Sequence, residues 1–200
     1  MSTVYHEGNR ELQDQFDTRR LADRLEERIV RDAFVEDDAD FIAALDMFFL
    51  ATTDADGHPN CSYKGGDPGF AQVLDAHTLV FPNYDGNGMY LSMGNLLVNP
   101  HVGILFIDFE YPQRLRVNGT ARIERDDPML AEYPEAQFIV RVTPLEVFTN
   151  CPRYVHKYER VGLSPFVPRE SVPTPVPGWK RSELAAGFLP SNDPARLPNT

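Results

Sequence analysis

A long apolar run is the first thing this chain lacks. No stretch approaches the roughly 20 residues of a membrane span, and residues 1–15 have no apolar core of the secretion-signal kind, so no membrane partner and a cytoplasmic address are expected. Basic residues are also scarce. Lysine and arginine number 19 against 30 aspartates and glutamates, a formal net charge of -11, which argues against nucleic acid or an anionic membrane surface as a partner. Cysteine is limited to Cys61 and Cys151, without a Cys-x-x-Cys pair or histidine-rich spacing, so neither a zinc site nor a disulfide scaffold is indicated and no metal is predicted. Each cysteine reads as a small buried hydrophobe rather than a nucleophile. No segment repeats internally.

What the chain does have is enough apolar material for one substantial domain: 200 residues, 42% hydrophobic and 11% aromatic. Leu21, Leu25 and Ile29, extended by Val30 and Phe34, predict an amphipathic helix over 18–34 with Thr18 as N-cap, and Phe41, Ile42 and Leu45 predict a short helix over 39–46. The pattern then changes to strands near 47–53, 59–64, 78–82, 101–109, 113–124 and 137–148. Helical turns are expected within 89–98, stopped by Asn99-Pro100, and within 128–133 behind Pro128. Strands this short and regular predict a small barrel. Three parts follow: a helical arm over 1–46, the barrel domain over 47–160, and a tail over 161–200 whose eight prolines favour extended chain. Trp179, beside Lys180 and Arg181, reads as an aromatic pin that lets part of the tail wrap back on the domain or a neighbour.

Residues 48–66 carry the strongest local signal. The β-rich run Phe48-Phe49-Leu50-Ala51-Thr52-Thr53 meets a turn at Asp54-Ala55-Asp56-Gly57, after which Cys61 and Tyr63 alternate with Ser62 and Lys64. One face of that second strand is apolar and the other ends in a cation. In so acidic a protein, an anionic ligand requires such a local charge or a cluster of donors. A second segment, Phe81-Pro82-Asn83-Tyr84-Asp85-Gly86-Asn87-Gly88, leads into the helical stretch with Ser92 and Asn95; its glycines let backbone N–H groups approach a ligand, and the helix N-terminus favours an anion. Arg114 and Arg116 lie on a strand able to flank the same mouth. No general acid or base declares itself: His101 and His156 qualify by type only, with a structural role the stronger reading, and Tyr84 and Tyr154 can donate to a carbonyl or simply pack.

The order of these landmarks resembles the pyridoxamine 5'-phosphate oxidase-like FMN-binding family. Gly65-Gly66-Asp67-Pro68-Gly69-Phe70, Phe81-Pro82-Asn83, Asn99-Pro100-His101-Val102-Gly103-Ile104-Leu105-Phe106 and Leu115-Arg116-Val117-Asn118-Gly119-Thr120-Ala121 carry the resemblance over about residues 41–150. The N-terminal Tyr5-His6-Glu7-Gly8-Asn9-Arg10 and the later Asn150-Cys151-Pro152-Arg153-Tyr154 are similar to its uncharacterised branch. The resemblance implies a mainly β fold with flanking helices (α+β), a six-stranded split β-barrel that forms a homodimer with FMN in a groove between subunits. It maps cofactor contacts to Ser62, Tyr63 and Lys64, to Pro82, Asn83, Asn87, Gly88 and Met89, and to Arg114, which stands where the oxidases carry a glutamine at the pyrimidine side of the flavin. Where those oxidases set a Ser-Arg-Lys triplet on the phosphate, this chain has Asn87-Gly88-Met89, and its tail lacks their Arg-x-His substrate signature. Pyridoxamine phosphate oxidation is therefore not the expected reaction. The expectation is an FMN-dependent oxidoreductase acting on an unidentified small molecule, with a non-catalytic flavin-, deazaflavin- or haem-binding protein as the alternative.

Overall fold

Period-two burial sets the architecture. The structure, a computed structural model, describes residues 4–196. Strands β1 (Met47–Thr53), β2 (Pro59–Gly65), β3 (Gln72–Asp75), β4 (Thr78–Asn83), β5 (His101–Asp108), β6 (Gln113–Glu124) and β7 (Phe138–Thr149) form one antiparallel sheet in the order β2-β1-β5-β6-β7-β4-β3. Along β5, Val102, Ile104 and Phe106 face inward, and Leu115, Val117 and Ala121 do so along β6. That alternation lets one face fill a core while the other meets solvent.

The sheet rolls up. In the strand order β5, β6 and β7 separate β1 from β4, so in a flat sheet with strands about 4.8 Å apart the two would lie roughly 19 Å from each other. Yet the rings of Phe48 on β1 and Phe81 on β4 meet edge-on at 5.0 Å. Phe48 also touches Phe106 at 5.2 Å and stacks on Phe70 at 5.5 Å, so four aromatic rings close the barrel from within. Burying each contributes about 1.5–3 kcal/mol.

Four helices flank the sheet: α1 (Glu7–Gln15), α2 (Arg19–Ile29), α3 (Glu36–Ala43) and α4 (Leu91–Val98). The expected 18–34 helix stops at Ile29, because Val30 turns extended and Arg31 exchanges backbone hydrogen bonds with Val147 of β7 at 3.0 and 2.7 Å. Phe34 is buried as expected, but from extended chain. The expected 39–46 helix lies earlier, since Asp38 accepts from the Val35 amide and fixes the start of α3. Helix α1 has no apolar stripe to reveal it, and none of its residues is buried. Strand β3, only four residues and half polar, adds a seventh strand to the expected six. Both cysteines are exposed, contrary to the buried reading, because Cys61 lies on the outer face of edge strand β2 and Cys151 follows β7.

The Pro-rich segment folds back. Arg169 pairs with Asp67 through two nitrogens, and Lys180, only 6% exposed, donates to Asp85 at 2.5 Å and Asp193 at 2.7 Å. Trp179 stays 43% exposed beside it, so the buried cation is the anchor and the aromatic ring lies outside.

Candidate functional site

β2 and α4 build the floor of a cleft of about 410 Å³, and the loop after β4 supplies its wall. On β2 the burial is the reverse of what an apolar core face would give. Asn60, Ser62 and Lys64 are half-buried, whereas Cys61 and Tyr63 are exposed, Tyr63 at 61%. The polar face turns inward because it meets α4: Ser92 donates to Asn60 at 3.3 Å, which leaves Ser62 the donor in its 2.8 Å contact with Ser92. Asn95 of the same helix donates to Thr52 at 3.1 Å, and Asn99 just beyond donates to Thr53 at 2.7 Å. Four hydrogen bonds thus fix α4 and its C-terminal Asn99 against the β1–β2 hairpin.

Tyr90, with φ 50°, reverses the chain into α4 from a left-handed conformation. No side chain caps the helix, and among the described residues the amides of Leu91, Ser92 and Met93 have no acceptor. All three residues line the cleft. Unpaired amides with the helix dipole behind them favour a negative group.

Lys64 lines the same cleft. Burial lowers its pKa from the ordinary lysine value, and among the described residues it has no carboxylate or hydrogen-bond partner. In a chain with 30 acidic residues, a half-buried ammonium left without one is uncommon. Tyr84, also on the wall, is pushed up to about 12 by burial, with Tyr133 and Asp67 adding to the rise, so its hydroxyl stays protonated.

The cleft therefore brings together Ser62, Tyr63, Lys64, Asn83, Asn87, Gly88 and Met89 of the residues expected from sequence. Asn83 is buried and its amide donates to Tyr84 and Gln137, while Asn87 accepts from the Met89 amide and holds the turn. Pro82 does not line the cleft; it sits buried in β4 opposite Ile139, past Val80, where pairing with β3 has ended. Arg114 is also outside it, at the start of β6, where Nη2 donates to the Cys151 carbonyl at 2.7 Å and Nε is buried without a partner. Sequence reasoning missed Asn60, whose role depends on which face of β2 turns inward, and Tyr90, since nothing in the sequence marks a left-handed tyrosine. His101 and His156 do not line the cleft.

A second cavity, about 620 Å³, opens beyond the same loop and is roofed by the folded-back Pro-rich segment; it shares Tyr84, Gly88 and Tyr90 with the first.

The family model described as pyridoxamine 5'-phosphate oxidase matches residues 34–151. No curated protein matches the chain. Among solved structures, a candidate pyridoxamine 5'-phosphate oxidase from Lactobacillus delbrueckii is 26% identical, with 59% of this chain and 95% of that one covered and a TM-score of 0.48. HupZ from Group A Streptococcus is 19% identical over 63% of this chain and 99% of its own, with a TM-score of 0.48. The FAD binding protein from Mycobacterium smegmatis is 21% identical over 60% and 97%, with a TM-score of 0.42.

Proposed function

Since the chain belongs to the pyridoxamine 5'-phosphate oxidase family through residues 34–151, we propose that its cleft holds FMN and that the protein is a flavin-dependent oxidoreductase of a small molecule. The observation that carries this reading is Lys64, a half-buried ammonium without an acidic partner among the described residues, in the same cleft as the uncapped start of α4. Together they offer a phosphate one cation and the three amides. When bound, the flavin supplies hydride and electron transfer. The chain's own part is to hold the anion, orient the ring along β2 and keep Tyr84 protonated as a donor.

The cleft volume lies within the 300–1,000 Å³ or so of small-molecule sites. Its rim is open and apolar: Tyr63, Met89 and Leu91 are 61%, 61% and 53% exposed. A second copy of the chain covers that rim in our reading, and Arg114 of that copy reaches the flavin. A non-catalytic flavin carrier is the second reading, favoured by the absence of any cation in Asn87-Gly88-Met89 and of any histidine along the cleft.

The absorption spectrum of the purified protein tests the cofactor. Flavin bands that diminish about 10- to 100-fold in apparent affinity in Lys64→Ala support the assignment, the loss of one charge-assisted hydrogen bond; unchanged binding refutes it. Bleaching by NAD(P)H separates enzyme from carrier. Light scattering is expected to give a dimer mass, and a monomer with flavin bound removes the second copy from the site.

A further inference from the structure

The second cavity has a chemistry unlike the first. Its one ammonium, Lys180, is consumed by Asp85 and Asp193. Glu135 is left as a carboxylate whose only side-chain donor among the described residues is the Thr174 hydroxyl, at 2.9 Å. Among the described residues no arginine and no other lysine lines the cavity, so none of them offsets the charge of a phosphate there. Phe166, Val176 and a set of prolines give it an apolar wall, beside the polar side chains of Gln137 and Asn192. Such a wall suits a flat ring, and the carboxylate suits a cation.

The backbone around the cavity is held in conformations that cost free energy. Among the described residues only Asp17, Tyr90 and Glu135 are non-glycine residues with φ near +50 to +58°, and two of the three line this cavity, beside Gly88 at φ 76°. Backbone strain of this kind gathers at ligand sites, where the surrounding structure maintains it. Tyr84, held protonated by burial, presents a hydroxyl that can accept from an ammonium. The Oε1 of Gln137 accepts from Asn83 and Tyr90, which fixes its amide on the cavity wall.

We propose that this cavity, between the loop after β4 and the folded-back Pro-rich segment, binds a phosphate-free aromatic amine as its monocation. Glu135 takes the ammonium and Phe166 and Val176 enclose the ring. Calling that amine the partner of a flavin rests on the reading of the first cleft; its binding does not.

Trp179, the only tryptophan, adjoins Lys180 and reports on the site by its emission. The full chain is titrated with 2-phenylethylamine, 2-phenylethanol and phenyl phosphate, with and without FMN. With FMN present to occupy the first cleft, the expected result is saturable binding of the amine, about tenfold or more tighter than the alcohol, with no binding of the phosphate ester. Glu135→Gln is expected to bring the amine to the affinity of the alcohol, and Val176→Phe, which fills the cavity, to weaken both. Equal or tighter binding of phenyl phosphate overturns the proposal, as does amine affinity unchanged by Glu135→Gln or absent to about 10 mM. Amine affinity retained in Lys64→Ala while flavin is lost supports the cavity and leaves the two readings separable; amine affinity lost with the flavin places the amine in the first cleft and overturns it.

Discussion

Lys64 sits where its charge is expensive without a ligand, and that sets an opposition between stability and binding. Burial lowers its pKa below the ordinary 10.5, so the unfolded chain holds this proton more tightly than the folded one. Stability of the ligand-free protein therefore rises with pH between the lowered folded value and 10.5, and the cost of the ammonium is fully present at neutral pH. Lys64→Met is expected to raise the melting temperature of the ligand-free protein at pH 7 and to remove that alkaline rise, while lowering FMN affinity about 10- to 100-fold. Calorimetry with and without FMN checks both; a variant less stable in the absence of ligand argues that Lys64 makes a structural contact. At this scale much of the lining of the candidate cleft was legible in sequence: Ser62, Lys64, Asn87 and Gly88 carry their chemistry in their residue types, whereas Arg114 lies outside the cleft.

The long β6–β7 ladder turns on one glycine. Its register shifts between Asn118 and Gly119, and a Cβ on Gly119 would lie 2.3 Å from the carbonyl oxygen of Thr143, an approach that only displacement of backbone can relieve. Gly119→Ala is expected to destabilise the fold by about 1–3 kcal/mol or more, read from the urea midpoint, whereas Gly86→Ala, which meets open space, changes it far less. Equal midpoints would mean that the ladder adjusts freely. Elements were legible in proportion to their apolar period. Strands β1, β5, β6 and β7 announced themselves, while β3 and α1 did not: the first is too short and polar, the second buries nothing. The 18–34 stripe misled for a physical reason, since Phe34 is buried by the barrel rather than by a helix face.

At the scale of the molecule, composition identified the Pro-rich segment as extended but not what it grips. Burial draws the Lys180 pKa down, yet its hydrogen bonds with Asp193 and Asp85 outweigh this and leave it raised. Removing that charge strands two carboxylates, Asp193 being only 8% exposed. In Lys180→Met the amides of Gly86–Tyr90 are accordingly expected to exchange hydrogen about tenfold faster or more, by mass spectrometry, with the barrel strands unaffected; unaltered exchange would show that the loop stands without the strap. The contact also orders events in time. It joins residues 95 apart, whereas every strand of the barrel is complete by Thr149. Closing so distant a contact follows the pairing of the strands, so a refolding chain is expected to acquire its sheet first and the fold-back of the Pro-rich segment later. The strap is thus a late event in the life of each molecule, laid over a barrel that is already built.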